Sequence, residues 1–438
     1  MTPARSLVLA LLVAGCAAAP SPPLDAAAER AVVQASVQAL TDVMVHDIFS
    51  PPQASRVYAY ATVAGYEAAR HADAARPTYA GRLNGLTPPP QPEGEIDPVL
   101  AGTHAFFRVA DALVFSQDRL VLPRDTLLAA FDGLAASVRR ASQSYGEAVG
   151  DHVLAWSKSD GYARTRSLPR YTPVGADAWE PTPPGYIEAI EPYWGELRPF
   201  VLRELAPYAA PPPAPYASAA FSAEVREVLD ATTDMTDEQT LIASFWDCNP
   251  FVLHEEGHLS YAAKKISPGG HWMGIVGVAV RQHESSPAAA WAAYSQTAVA
   301  LADAFIVSWA DKYRTNVIRP ETAIRRQLDA SWRPLLQTPP FPEYTSGHSV
   351  ISTAAAEVLT AIYGEVAFVD NVEVPYGLPE RAFDSFRDAA SEAAISRLYG
   401  GIHYRPAIEN GVVQGRAVGE AVVDRLGLAT GRLAASHP

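Results

Sequence analysis

Apolar residues recur at helical spacing over most of this chain, and nowhere do they alternate with period two for long. A chain patterned this way buries one stripe per helix, which predicts a mainly α architecture of helices packed on helices. Residues 27–75 read as a helix pair, because Ser50-Pro51-Pro52 places two prolines after a serine, a start signal for a second helix. Alanine- and leucine-rich stretches over 98–157 read as three more helices, and the pattern resumes at 222–245, 288–309, 349–363, 380–399 and 411–426. Residues 167–218 are different, with Pro183-Pro184-Gly185, Pro211-Pro212-Pro213 and interleaved Trp179, Tyr186, Tyr193 and Trp194. Such a segment is either a functional lid or a connection wrapped on the surface.

Composition narrows the function. Of the 438 residues 48% are hydrophobic and 19% charged, which excludes a chain disordered throughout. The formal charge of -14 leaves no basic field for a nucleic-acid backbone, so any anionic substrate must be drawn in by local cations. No stretch reaches the apolar length of a membrane span. The two cysteines cannot form a disulfide framework. Residues 1–5 are weakly positive, residues 7–13 are Leu, Val and Ala, and Val13-Ala14-Gly15-Cys16 resembles a bacterial lipobox. The expectation is a lipoprotein signal peptide over 1–15 and lipidation at Cys16. An exported, periplasmic or outer-surface lipoprotein, touching membrane only through its anchor, would result. The alternative is an ordinary secretory signal with Cys16 incidental. Cys248 reads as a small packed residue.

Three short elements carry the chemistry. Lys312 and Arg319 stand seven apart, close to two helical turns, so both cations would leave one helix face and grip one anion. Pro320 pushes Arg319 out of helical geometry and frees its guanidinium for bidentate contact with an oxyanion. The second element, Ser346-Gly347-His348, runs into a helix start. There Ser346 offers a hydroxyl, Gly347 admits close backbone approach, and the helix N-terminus favours negative charge. His348 at that positive end should have a lowered pKa and accept a proton. In the third, Gly400-Gly401 break the helix between Arg397 and His403, letting the imidazole turn back toward an anion that Arg397 contacts.

In order these read K-x6-R-P, S-G-H and S-R-x5-H, a set that resembles the vanadium-dependent haloperoxidase and type 2 phosphatidic acid phosphatase superfamily. The resemblance implies two packed helical bundles, residues 16–218 with the proline-rich segment and 219–438 with the site. It also implies that Lys312, Arg319, Ser346, the Gly347 amide and Arg397 bind the oxygens of vanadate or phosphate. His403 would be the ligand to vanadium, or the nucleophile of a phosphatase, and His348 the acid-base residue. The run Pro339-Pro340-Phe341-Pro342, leading through Tyr344 to Ser346, resembles the chloroperoxidase version of the loop, and Trp309 and Phe341 suit the apolar halide pocket of that branch. The reaction implied is oxidation of halide by hydrogen peroxide, with halogenation of an organic acceptor. The alternatives are a soluble acid phosphatase acting through a phosphohistidine and a non-catalytic oxyanion-binding lipoprotein.

Two positions depart from the family pattern. Thr345 stands where proline is usual, and Ala407 where an aspartate usually orients the last histidine, leaving Glu409 or Asp247 as candidate substitutes. A rival motif lies upstream: His254-Glu255-Glu256-Gly257-His258 fits the H-E-x-x-H zinc signature, on an expected helix over 252–265. No third zinc ligand is identifiable from the sequence, and the alternative is that the histidines there only cap, pack or line an entrance.

Overall fold

The computed structural model describes residues 24–73, 75–175, 177–256, 259–262 and 264–428. Cys16 and His258 lie outside them.

The first half is α1 (Ala26–His46), α2 (Pro51–Ala69), α3 (Pro98–Leu113), α4 (Asp118–Ala129), α5 (Ala136–Ser157) and the single turn α6 (Tyr162–Thr165). The second half is α7 (Ala219–Ala231), α8 (Asp237–Phe245), α9 (Pro268–Gln282), α10 (Pro287–Thr315), α11 (Pro320–Gln327), α12 (Gly347–Tyr363), α13 (Phe386–Tyr399) and α14 (Arg405–Leu426). Many starts follow one local rule, in which a Ser or Asp side chain accepts the amide three residues on and proline occupies the first helical position. Ser50 before Pro51, Asp97 before Pro98, Ser267 before Pro268 and Ser286 before Pro287 all do this.

Strands are few among the described residues. β1 (Leu253–Glu256) pairs antiparallel with β2 (Leu259–Ala262), and β3 (Phe368–Asp370) with β4 (Arg381–Phe383). The helix expected over 252–265 is therefore a hairpin, in which His254 faces Tyr261 across the ladder. The zinc signature needs both histidines on one turn of helix, and a strand at His254 removes that spacing. The pattern at 222–245 is two helices rather than one, split where Thr236 forms a capping box with Gln239.

One apolar core runs from α1, α2, α3 and α5 through α9 and α10 to α12, α13 and α14. The 29-residue α10 is its axis, buried along nearly its whole length. α14 lies close against α12 because its glycines leave room: a Cβ on Gly415 would sit 2.2 Å from the Val350 carbonyl oxygen. Among the described residues no helix is long and apolar enough to cross a membrane.

The described residues of 167–218 form a strap along α10 with two short 3₁₀ turns, at Trp194–Glu196 and Ala206–Tyr208. Buried acids of α10 hold it. Asp303 accepts the amides of Phe200, Val201 and Leu202 at 2.6, 2.8 and 3.1 Å, and Asp311 accepts that of Ala210 at 2.8 Å. Such bonding makes the segment a fixed wall.

Candidate active site

The three motifs meet at one end of α10. Lys312 lies in its last turn, but Arg319 does not continue the same helix. Asn316 adopts a left-handed conformation (φ 53°) that ends α10, and Arg319 becomes the residue preceding α11. The two cations converge because the chain turns. Both side chains are fully buried.

Lys312 Nζ donates to the carbonyls of Pro342 and Glu343, each at 3.0 Å, and to that of Thr345. All three ammonium protons are thereby occupied. In this geometry Lys312 fixes the loop leading to Ser346 and supplies charge, rather than offering a free donor. Burial, then the neighbouring Arg319, lower its pKa well below the ordinary lysine value. Arg319 donates from Nε to the Phe341 carbonyl at 2.8 Å and from Nη1 to the Ile402 carbonyl at 2.9 Å, while its buried Nη2 has no partner. Burial brings its pKa down to about 10, so it stays charged at neutral pH.

Ser346 caps α12, accepting the Ser349 amide, and its own amide donates to the Ala407 carbonyl at 3.0 Å. The Tyr344–Thr345 peptide before it is cis. His348, in the first turn, is half-buried with Nε2 out of solvent and unpartnered. Burial and the Arg397 charge hold its pKa well below the usual histidine value, against a hydrogen bond to the Trp246 backbone that pulls the other way. Arg397, on α13, is held by the Trp246 carbonyl at 2.8 Å and the Ser396 hydroxyl at 3.0 Å.

His403 is oriented by a residue the sequence reading passed over. Its Nδ1 lies 2.7 Å from Glu343 Oε1, which also accepts the Tyr404 amide at 2.9 Å. Neither expected acid does this: Glu409 is exposed beside Arg405, and Asp247 pairs with Lys265. The reason is geometric. The buried Ala407 meets Ser346 backbone to backbone, whereas Glu343 stands under the imidazole on the loop that Lys312 fixes. With Nδ1 donating to Glu343, Nε2 presents a lone pair, 3.2 Å from Arg319 Nη1. Burial, then Arg319, Lys312 and Arg397, keep His403 well below its ordinary pKa and hence neutral. Burial also raises Glu343 to about 7, against the pull of Arg319 and Lys312.

Gly347, His348, Arg397 and His403 line one small cavity of about 30 Å³, together with Phe305, Trp309 and Phe341, Pro51, Pro250, Pro268 and Pro339, and Cys248. The Trp309 and Phe341 rings touch, with centroids 4.8 Å apart, and the Trp309 indole donates to the Ile190 carbonyl of the strap. The structure places Gly347, His348, Arg397 and His403 on this cavity with Trp309 and Phe341, sets Arg319 beside His403, and puts Lys312 behind the loop that leads to Ser346.

Arg397 and the two imidazoles of His348 and His403 line the cavity, with Arg319 beside His403 and Lys312 behind the loop, a constellation suited to a tetrahedral oxyanion held against a histidine. On a mainly helical fold, that is the pattern of a histidine-centred oxyanion enzyme. Comparison with known proteins names the family. A family model described as the VCPO second helical-bundle domain matches residues 292–429. The chain is 46% identical to a bacterial vanadium-dependent iodoperoxidase of known structure, over 94% of this chain and 100% of that one, with a TM-score of 0.86. A bacterial vanadium-dependent chloroperoxidase shares the fold at lower identity. Its holo form is 16% identical over 87% of this chain and 95% of that one (TM-score 0.62), and its apo form 17% over 87% and 94% (TM-score 0.64). No curated protein sequence matches. The chain belongs to the vanadium-dependent haloperoxidases, enzymes that use a vanadate cofactor, hydrogen peroxide and halide.

Proposed function

We propose that this haloperoxidase holds its vanadate on His403 Nε2, with Arg319, Arg397, the Ser346 hydroxyl and the Gly347 amide around the oxygens, and that iodide is its readiest halide. The observation that carries the assignment is the convergence of Gly347, His348, Arg397 and His403 on one cavity, with Arg319 Nη1 3.2 Å from His403 Nε2. Arg319 Nη2 and His348 Nε2 are buried there without protein partners, which leaves them available to an oxyanion. Bound there, vanadate would supply Lewis-acid activation of hydrogen peroxide toward halide, without a change of metal oxidation state.

The chain's own residues do the rest. Glu343 keeps the proton of His403 on Nδ1, so Nε2 carries the lone pair that Arg319 Nη1 now meets at 3.2 Å and that a ligand would take over. Lys312 and Arg319 add positive charge where water is excluded and electrostatics act strongly. His348, held neutral, accepts a proton at Nε2 and returns it. Phe305, Trp309 and Phe341 offer a polarisable, apolar wall to a large, weakly hydrated halide. The choice of iodide rests on the kinship with the bacterial iodoperoxidase and on this wall.

The test is peroxide-dependent oxidation of iodide, bromide and chloride by chain reconstituted with orthovanadate and dialysed. Wild type is expected to oxidise iodide fastest, and His403→Ala to lose at least about 10³-fold in kcat while keeping its helical circular dichroism. Hydrolysis of p-nitrophenyl phosphate with no oxidation of any halide would sink the reading and point to a phosphohistidine. For localisation, the run over residues 7–13 and Val13-Ala14-Gly15-Cys16 support an exported lipoprotein anchored at Cys16. Labelling of the wild type by a fatty-acid probe, lost in Cys16→Ala, is the expected result.

A further inference from the structure

Behind the catalytic cavity lies a second cluster of ligand-type side chains. Cys248, His271 and Glu373 are all buried, and one donor atom from each lies within 4.8 Å of the other two. The individual separations are 3.4 Å from Cys248 Sγ to His271 Nδ1, 3.1 Å from His271 Nδ1 to Glu373 Oε1, and 3.6 Å from Cys248 Sγ to Glu373 Oε1. A tetrahedral zinc ion with Zn–S about 2.3 Å and Zn–N and Zn–O about 2.0–2.2 Å has ligand-to-ligand edges of roughly 3.3–3.6 Å. The three measured edges fall on or near that range.

The surroundings fit the same reading. His271 directs its other ring nitrogen, Nε2, to Asp370 Oδ2 at 2.7 Å, and Asp370 is itself fully buried and accepts the Val372 amide at 3.0 Å. A carboxylate on the far nitrogen of a ligating histidine fixes the tautomer that leaves Nδ1 free for a metal. Thiolate and carboxylate together neutralise a dication, and the thiolate and imidazole favour a zinc-like ion over a hard, oxygen-seeking one. Cys248 also lines the catalytic cavity, which gives an ion and a water ligand a way in.

We propose that Cys248, His271 and Glu373 form a zinc-type metal site, with water as fourth ligand, that braces the back of the haloperoxidase cavity. On binding, the Cys248 thiol releases its proton to solvent, and His271 ligates as neutral imidazole with its proton kept on Nε2 toward Asp370. The brace acts through the residues just before Cys248. The Trp246 ring stacks on His271 with centroids 4.7 Å apart, and the Trp246 carbonyl holds Arg397 at 2.8 Å. Because that backbone also hydrogen-bonds His348, the metal fixes two cage residues without touching either.

The experiment is elemental analysis of full-length chain purified under reductant, without chelator, from zinc-supplemented cells, together with the absorption spectrum after exchange with cobalt(II). The expected result is about one zinc per chain and a near-ultraviolet thiolate-to-cobalt band, as a three-ligand site predicts. Cys248→Ser loses the band, Glu373→Gln loses the zinc, and Asp370→Asn, which keeps all three ligands, weakens zinc binding roughly 10–100-fold. Circular dichroism establishes that each variant is folded. Wild-type chain with neither zinc nor a cobalt band overturns the proposal and leaves His271 as an imidazolium between two carboxylates. Zinc retained undiminished in both Cys248→Ser and Glu373→Gln overturns the ligand assignment.

Discussion

Two buried charge clusters in this molecule are built to opposite rules. In the first half, Arg56 donates to Asp160 at 2.6 Å and to the Ser157 carbonyl at 3.2 Å, and Asp160 also accepts the Tyr60 hydroxyl at 3.0 Å and the Tyr162 amide at 2.9 Å. Arg56 lies over the Tyr60 and Tyr162 rings, and neither Arg56, Tyr60 nor Asp160 leaves a buried polar atom unpaired. Around His403, by contrast, Arg319, Glu343 and His348 each leave one. Burial alone does not separate the two clusters, since both are buried. Completeness separates them in degree: at the edge of the first, Arg198 donates to Tyr60 at 3.2 Å and leaves only its Nε unpaired, whereas the second leaves an atom open on each of three residues, as a ligand site would.

The contrast can be broken by experiment. Arg56→Ala is expected to cost about 3–5 kcal/mol in unfolding free energy, because it strands Asp160 in the core, and to leave turnover per folded molecule unchanged. Denaturant titration beside a peroxidase assay measures both. Arg319→Ala should lower kcat roughly 10²–10³-fold, about 2.7–4 kcal/mol of transition-state stabilisation, and cost less stability than Arg56→Ala, since the acceptors it strands, the Phe341 and Ile402 carbonyls, are uncharged. If Arg319→Ala destabilises as much as Arg56→Ala, the cage is structural and the distinction fails.

Glu343→Gln sharpens it further. Vanadate affinity should fall roughly 10–100-fold as His403 loses its orienting carboxylate. The same substitution changes the pH dependence of stability. An acid whose folded pKa is raised from 4.5 to about 7 stays protonated in the folded chain while the unfolded chain ionises. Wild type measured without oxyanions should therefore lose stability relative to Glu343→Gln between pH 4.5 and 7, and hold level above. Denaturation at stepped pH checks the sign. The smallest effect belongs to a pair outside both clusters. Arg164 and Glu196 are each about half exposed, and Arg164→Ala should cost under about 1 kcal/mol.

Much of the site was legible in the sequence because its residues are of types that do little else together. A lysine and an arginine before a proline, a serine-glycine-histidine at a helix start and an arginine before a double glycine each specify local geometry. Glu343 was not read, although it stands between Pro342 and Tyr344, a few residues before the serine-glycine-histidine. Its signal was available: a lone carboxylate among Pro339, Pro340, Phe341 and Pro342 is headed for burial and needs a partner there. The hairpin at β1 and β2 was missed because the four-residue spacing of His254 and His258 outweighed the glycine between them, a residue poor in a helix and at home in a turn. The division of 222–245 lay in Thr236 and Gln239, three apart, a capping box inside an otherwise unbroken pattern. Conversely, nothing local could show that the strap lies on α10, since that contact joins residues a hundred positions apart.

That strap sets the order in which the molecule can be made. The Ile190 carbonyl receives both the Trp309 indole and the Tyr313 hydroxyl, its amide donates to Pro340, and the Tyr344 hydroxyl reaches back to Pro211. Every one of these ties spans more than a hundred residues, and loop closure must be met before any of them forms. The helices of the first half can assemble during synthesis, but the cavity wall waits for α10 and the loop after it to emerge. Competence to bind vanadate should thus mature late, and a refolding trace followed by vanadate capture should lag one followed by helix content.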